Sequence, residues 1–182
     1  MNTPILETER IILRPLKISD AENIFKNWAS DPDVTKYMRW NTHPSVDVTI
    51  EWLTSVENNL ASDTCYDWGF ILKETGQIFG SGGIFGHDVF EIGYVIMKKY
   101  WNQGLTAEAA RAMVDFAIND LGRTSLYGRH AKENIASGKV MEKLGFVYRD
   151  DGEISSFDGK RVFQSKNYVL TTDSPSEGIR HE

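Results

Sequence analysis

The chain has 182 residues, a mass of 20.7 kDa and a net charge of −6, from 20 Lys+Arg and 26 Asp+Glu. Its length and its 41% apolar residues fit one globular domain. The acidic balance argues against nucleic acid or an anionic membrane as the partner, and the single cysteine, Cys65, excludes an intrachain disulfide and a cysteine-based zinc site. Since no apolar run reaches a bilayer span and no secretory signal opens the sequence, we expect a cytoplasmic protein.

The N-terminal third predicts one strand and two helices. Residues 9–16 have the composition of a strand, and Ser19 to Glu22 reads as a capping box that opens a helix ending near Asp31-Pro32. A loop rich in aromatic and basic residues, 36–44, follows it. The second helix begins after Pro44-Ser45, because apolar residues then recur every three or four positions.

The middle of the chain changes to strand-like patterns. Two strands are predicted around a Thr75-Gly76 turn, and a third covers residues 89–97. An amphipathic helix is then predicted from about 105 to 121, and a strand over 123–130.

The C-terminal part predicts a short helix from Asn134 to Leu144 and two strands joined at Asp158-Gly159. Helices scattered among antiparallel strands favour an α+β fold. We expect a single domain over residues 1–170 and a polar, flexible tail over 171–182.

The most informative segment is the strand, loop and helix over residues 91–117. The first N–H groups of a helix are unpaired and carry about half a positive charge, so they favour an anion. Gly104 lets a ligand approach the backbone there, and Lys98 and Lys99 precede it. Gly104 could also be only a turn before an ordinary helix. The sequence has neither the glycine spacing of a dinucleotide-binding fingerprint nor that of a Walker loop.

A second segment places two polar residues at a helix start. Asn134 is a natural N-cap, and this role alone could explain why an asparagine stands there. Ser137 lies in the same first turn. Residues of this type at this position more often stabilise the helix than carry out chemistry.

Together these segments resemble the GCN5-related N-acetyltransferases, and in particular the Rim-type branch, which acetylates protein N-termini. The resemblance is carried by YWNQGLTAEAA from Tyr100 and by the pattern N-x-x-S-x₅-K-L-G-F from Asn134. It covers about Leu6 to Leu170. Thr106 departs from the family pattern, which usually has Gly or Ala there, and its side chain could crowd the pyrophosphate or donate a hydrogen bond to it.

The resemblance implies a mixed, mostly antiparallel sheet of about seven strands, flanked by helices and splayed at an acetyl-CoA cleft. Val95, Ile96 and Met97 would pair with the pantetheine arm, and a backbone N–H beside a bulge in the same strand would polarise the thioester carbonyl. Asn134 would contact the pantetheine from the other side. The residues of the pyrophosphate loop would be Trp101, Asn102, Gln103, Gly104, Leu105 and Thr106.

For catalysis, the resemblance assigns Ser137 as the general acid for the thiolate, and we choose Glu91 as the general base. Glu91 at a strand start could instead merely pair with a surface cation. His130 is a weaker base candidate, more typical of a polar surface residue or a residue at a strand end. The four histidines are dispersed, so we expect no metal.

The acceptor side is expected between the two N-terminal helices, the 36–44 loop and the final hairpin, with Tyr37, Trp40 and Phe157 as lining residues. The acceptor is expected to be a protein N-terminal α-amine. A small amine such as a polyamine or aminoglycoside, or a non-catalytic acyl-CoA-binding module, are the alternatives. Because Cys65 lies outside both motifs, we expect direct transfer in a ternary complex. A homodimer stays open.

Overall fold

All strands belong to one eight-stranded sheet in the computed structural model, which describes residues 2–172. The strands are β1 Leu6–Glu7, β2 Ile11–Pro15, β3 Cys65–Leu72, β4 Ile78–Phe85, β5 Phe90–Ile96, β6 Ser125–Ala131, β7 Val147–Ser155 and β8 Val162–Thr171. The helices are α1 Ala21–Ile24, α2 Pro32–Thr35, α3 Val46–Asn58, α4 Leu105–Asn119 and α5 Ile135–Lys143. A π-helical turn, Phe25–Ala29, continues α1.

The sheet order is β1-β2-β3-β4-β5-β6-β8-β7, and every pair is antiparallel except β5 with β6. Those two parallel strands pair only at Phe90↔Leu126 and Glu91↔Tyr127. Beyond this point they diverge, so the sheet opens along the rest of β5.

Each face of the sheet buries its own core. On one face, the buried side of α4 packs against aromatic residues of β3, including Trp68. This side of the helix includes Ala109, Met113 and Phe116. On the other face, α1 and α3 bury a smaller cluster around Trp28. The opening beside β5 therefore lies between two helical layers.

The predicted α+β class and single mixed sheet are confirmed. The structure has eight strands rather than about seven, because β1 is a separate two-residue strand. The last two strands are joined by residues 156–161, which include the predicted Asp158-Gly159 turn. Of the predicted tail, Thr171 still belongs to β8, and residues 173–182 lie outside the described part of the chain.

The predicted capping box at Ser19 to Glu22 is wrong. A 3₁₀ turn already begins at Ile18, and the Asp20 carboxylate accepts the Lys17 N–H at 2.9 Å. Arg14 fixes the same carboxylate through nitrogen–oxygen contacts of 2.7 and 2.8 Å. The helical turn therefore starts earlier than predicted, because a local capping interaction between Lys17 and Asp20 forms instead and Arg14 holds the Asp20 carboxylate.

No helix within residues 2–172 has both the length and the apolar character needed to cross a membrane.

Candidate active site

The open edge of β5 is the centre of the site. The Met97 N–H donates to the Phe79 carbonyl at 2.8 Å, so Met97 faces β4. Since backbone groups alternate along an antiparallel pair, the N–H and C=O of Tyr94 and Ile96 face the opening. Of the three predicted pantetheine-pairing residues, the backbone of Ile96 has this orientation, whereas that of Val95 and Met97 does not.

The expected bulge in β5 is absent. The register between β4 and β5 runs without a shift from Gly80↔Ile96 to Phe85↔Glu91. The expected N–H donor beside a bulge is therefore missing from β5, whose N–H groups along the open edge are regularly spaced.

The predicted anion loop has the geometry that the sequence indicated. Gly104 is the N-cap of α4 and has a φ of 77°, a left-handed conformation that favours glycine. Asn102 also has a positive φ, 60°. None of the hydrogen bonds within residues 2–172 has the N–H of Asn102, Gln103 or Gly104 as its donor. These N–H groups and the first turn of α4 form a site that fits a phosphate group.

An ion pair that the sequence analysis missed holds this loop against β2. Arg10 Nε and Nη2 lie 2.7 and 2.6 Å from Glu108 Oε2, and Arg10 Nη1 donates to the Gln103 carbonyl at 3.2 Å. Thr8 donates to Glu108 Oε1 at 2.6 Å. Burial raises the pKa of Glu108, but its hydrogen bonds with Thr8 and Arg10 outweigh this and lower it overall.

Arg10 also brings positive charge to the loop. A β-carbon at Gly104 would lie 3.6 Å from Arg10 Nη2. Lys98, which we expected to serve this role, instead forms an ion pair with Asp33, and Lys99 lies over the Tyr100 ring.

The other loop residues serve mainly to shape it. The Trp101 indole donates to the Ile96 carbonyl at 3.1 Å, and Leu105 is buried in the core. Thr106 lies in the first turn of α4 and is only partly exposed.

The second motif places Ser137 beside a tyrosine of β5. Asn134 is the N-cap of α5 and its side chain accepts the Ser137 N–H at 3.4 Å, which confirms the capping role. The Tyr94 hydroxyl donates to the Ser137 carbonyl at 3.1 Å and lies 3.2 Å from Ser137 Oγ. Burial raises the pKa of Tyr94 to about 12, against the opposing effect of Ser137. Tyr94 thus stays protonated near neutral pH.

A cavity of about 280 Å³ joins these residues to the predicted acceptor side. It brings together the predicted residues Glu91, Asn134 and Ser137 with the predicted aromatic residues Tyr37, Trp40 and Phe157. Val95 lines it as well, whereas the loop from Trp101 to Thr106 lies outside it. The cavity and the loop therefore occupy separate parts of the site.

The 36–44 loop and the final hairpin close over this cavity through specific contacts. Arg161 donates to the carbonyl groups of Lys36, Met38 and Trp40 at 3.2, 2.9 and 2.8 Å. Arg39 lies over the Phe157 ring at 4.6 Å. These contacts fix the aromatic lining relative to the sheet.

Glu91 lies at the edge of the cavity and forms an ion pair. Its Oε1 lies 2.9 Å from Arg129 Nε, and both side chains are partly exposed. Glu91 therefore pairs with a cation, which was the alternative to its role as the general base. Its other oxygen, Oε2, accepts no hydrogen bond from Arg129.

His130 lies at the end of β6, as expected, but it is buried rather than a surface residue. It is 6% exposed, its Nδ1 lies 2.7 Å from the Ala131 carbonyl, and its ring lies 5.5 Å from that of Tyr168. Helix α5 lies against the ring, since a β-carbon at Gly138 would be 2.8 Å from His130 Nε2, and the local sequence does not reveal this contact.

One further carboxylate lines the cavity. The Cys65 thiol donates to Asp67 Oδ2 at 3.1 Å. Burial raises the pKa of Asp67, partly opposed by this hydrogen bond. Burial first, and then the charge of Asp67 and the hydrogen bond to it, raise the pKa of Cys65 to about 12.

Asp67→Asn is expected to raise the melting temperature at pH 7 by a few °C. In a chain of this size, a gain of ~1 kcal/mol in the free energy of unfolding raises the melting temperature by about 2–4 °C. A raised folded pKa means that the folded state binds more protons, so this carboxylate destabilises the protein by an amount that grows from the unfolded pKa up to the folded pKa and is constant above it. The difference should shrink as the pH falls through the folded pKa, which scanning calorimetry over a pH series from 7 to 4 would reveal. A lower melting temperature at pH 7 would contradict this.

Within residues 2–172, no group of three or more His, Cys, Asp or Glu side chains is arranged to hold a metal ion.

The comparisons with known proteins agree with this geometry. Residues 10–147 match the acetyltransferase (GNAT) domain family. The uncharacterized N-acetyltransferase YoaA of Bacillus subtilis (strain 168) is 29% identical over 79% of this chain and 82% of its own. FsC-acetyl coenzyme A-N(2)-transacetylase of Aspergillus fumigatus is 28% identical over 80% of this chain and 66% of its own.

A solved structure shows the same fold. The ribosomal-protein-S5-alanine acetyltransferase of Vibrio fischeri superposes with a TM-score of 0.76 at 16% identity, over 94% of this chain and 98% of that one. The family match and the N-acetyltransferase relative together define an enzyme that transfers an acetyl group. The chain belongs to the GNAT family of acetyltransferases.

Proposed function

We propose that the protein transfers the acetyl group of acetyl-CoA directly to a primary amine, and that this amine is the α-amine of a protein N-terminus. One observation carries the proposal. The cavity that joins the aromatic acceptor side to Glu91 and Ser137 borders the open edge of β5, and the same strand leads to the Gly104 loop. A single strand thereby connects the acceptor side to the proposed phosphate site.

Acetyl-CoA fits the residues that are present. The N–H groups of the Gly104 loop would hold its pyrophosphate, Ile96 would pair with the pantetheine, and Asn134 would approach it from the other side. The loop is held by Arg10, which adds a positive charge beside it.

The reaction needs three proton movements. The acceptor ammonium loses one proton to Glu91, directly or through water, and the neutral nitrogen attacks the thioester carbon. The carbon–sulfur bond then breaks, and Ser137 gives its hydroxyl proton to the leaving thiolate. The nitrogen loses its second proton as the amide forms, and this proton restores the Ser137 hydroxyl. The Tyr94 hydroxyl, 3.2 Å from Ser137 Oγ, would turn its proton from the Ser137 carbonyl to the serine oxygen and stabilise it as this happens.

The fold relative from Vibrio fischeri acts on a ribosomal protein, and this favours the N-terminal acceptor. A small amine is the second candidate, because a cavity of about 280 Å³ is large enough for one. The negative net charge suits a cationic acceptor of either kind. We expect the reaction in the cytoplasm. The protein could act as a monomer or as a homodimer.

The experiment that separates the two acceptors measures thiol release from acetyl-CoA with free-amine peptides and with polyamines. Release with peptides alone supports an N-terminal acceptor, and release with polyamines alone supports the small-molecule one. Acetyl-CoA binding without turnover on any amine would leave only an acyl-CoA-binding module.

Cys65→Ser is expected to keep kcat within about threefold of wild type, because a thiol that stays protonated is a poor nucleophile. The serine hydroxyl also preserves the hydrogen bond to Asp67. Steady-state kinetics would test this, together with intact-mass analysis after incubation with acetyl-CoA alone. An acetylated Cys65, or a loss of more than a hundredfold, would contradict direct transfer.

A further inference from the structure

Asp67 faces the acceptor side of the sheet. It pairs with Gly83 on β4, and Gly83 pairs with Gly93 on β5, so these three residues lie in one row across three strands. The next residue along β3, Trp68, is buried against α4 on the opposite face. Since side chains alternate along a strand, Asp67 shares its face with Gly93 and with Glu91.

Gly83 and Gly93 place no side chains of their own between Asp67 and β5. The Phe85 ring lies beside this space, 3.5 Å from where a β-carbon of Gly93 would be. A β-carbon at Gly83 would lie 2.7 Å from Asp67 Oδ1, so the carboxylate occupies the place of a side chain there. Neighbouring strands are about 4.8 Å apart, which puts this carboxylate roughly one strand spacing from the open strand β5.

The carboxylate lacks a cationic partner. Within residues 2–172 no lysine or arginine forms an ion pair with Asp67, and its partner is the neutral Cys65 thiol. Two arginines line the same cavity, but Arg129 is paired with Glu91 and Arg39 donates to the Ser155 carbonyl. A half-buried carboxylate without a cation is unfavourable, and a cationic ligand would offset this.

The remaining walls suit the same kind of ligand. Trp40, Phe85 and Phe157 line the cavity with Asp67. Aromatic faces attract an ammonium group and pack against an apolar arm attached to it.

We propose that the Asp67 carboxylate binds the ammonium group of the acceptor and thereby positions it beside β5. This inference rests on the proposed function, because it names the residue that selects a cationic acceptor in the same cavity. Asp67 is a binding residue here, and proton removal is left to Glu91.

The test measures binding without turnover. The protein is saturated with CoA and titrated at pH 7 with 2-phenylethylamine, which is a cation at that pH, and with the neutral isostere 2-phenylethanol, while NMR follows the amide shifts. We expect the wild type to bind the amine at least tenfold more tightly than the alcohol. Asp67→Asn should abolish this preference and leave the affinity for the alcohol within twofold.

Asp115→Asn is the matched control, because it removes the same charge from an exposed position on α4 away from the cavity. It should keep the preference for the amine. Equal binding of both probes by the wild type, or a preference that survives in Asp67→Asn, overturns the proposal.

The two proposals fail in distinguishable ways. If the wild type prefers the cation through Asp67 but acetylates no amine, the proposed reaction is wrong and the cation site stands. If amines are acetylated and Asp67→Asn binds the cation normally, the reaction stands and Asp67 has no role in selecting the acceptor.

Discussion

Gly104→Asp is expected to abolish measurable acetyl-CoA binding, with a loss of affinity above about 100-fold, which corresponds to about 2.8 kcal/mol. The new side chain must adopt the left-handed conformation of Gly104, φ 77°, and it places a carboxylate among the N–H groups that would hold the pyrophosphate. Arg10 could not fully neutralise this carboxylate, since Glu108 already engages its guanidinium. Isothermal titration with acetyl-CoA measures the effect.

The control for this variant is Gly122→Asp, after the other end of α4. Gly122 also has a positive φ, 63°, and a β-carbon there meets nothing within 4 Å. It repeats the backbone strain and the charge change without touching the loop, so acetyl-CoA affinity should stay within about twofold. If Gly104→Asp binds acetyl-CoA like this control, the phosphate site has been assigned to the wrong loop.

Ser137→Ala is expected to lower kcat by about 10²-fold while acetyl-CoA affinity changes only a few-fold, because the variant removes a proton donor rather than a binding contact. The N-cap bond of α5 is kept, as it uses the Ser137 backbone N–H. Thiol-release kinetics at saturating amine, combined with titration of acetyl-CoA, separate kcat from binding.

Tyr94→Phe tests the same proton transfer from Ser137 through a second residue. It removes the hydroxyl that lies 3.2 Å from Ser137 Oγ but leaves Ser137 itself, so it should cause a smaller loss of kcat than Ser137→Ala. The exposed Ser55→Ala variant of α3 should behave as wild type. Unchanged turnover in Ser137→Ala would contradict the role of this serine as a proton donor and leave it only a structural role at the start of α5.

Local patterns predicted much of the fold because they depend on neighbouring residues. The spacing of apolar residues predicted α3, and the glycine before an amphipathic helix predicted the N-terminus of α4. The predicted capping box at Ser19 failed because a competing local capping interaction forms between Lys17 and Asp20, where Arg14 holds the Asp20 carboxylate.

The parts of the site that were missed depend on residues far apart in the chain. Arg10 and Glu108 are 98 positions apart, and nothing near either residue indicates the pair. Asp67 faces the cavity only because of the register of β3, β4 and β5, and the glycines that leave it room lie on two other strands. The burial of His130 likewise depends on Tyr168 of β8.

The central claim is that this site transfers acetyl from acetyl-CoA to a primary amine, and one measurement tests it most directly. Purified protein is incubated with acetyl-CoA and a panel of free-amine peptides and polyamines, while thiol release and the acetylated product are quantified in the same samples. We predict amine-dependent release of CoA in equal amount to N-acetylated product. Tight acetyl-CoA binding with no amine-dependent release across the panel would contradict it.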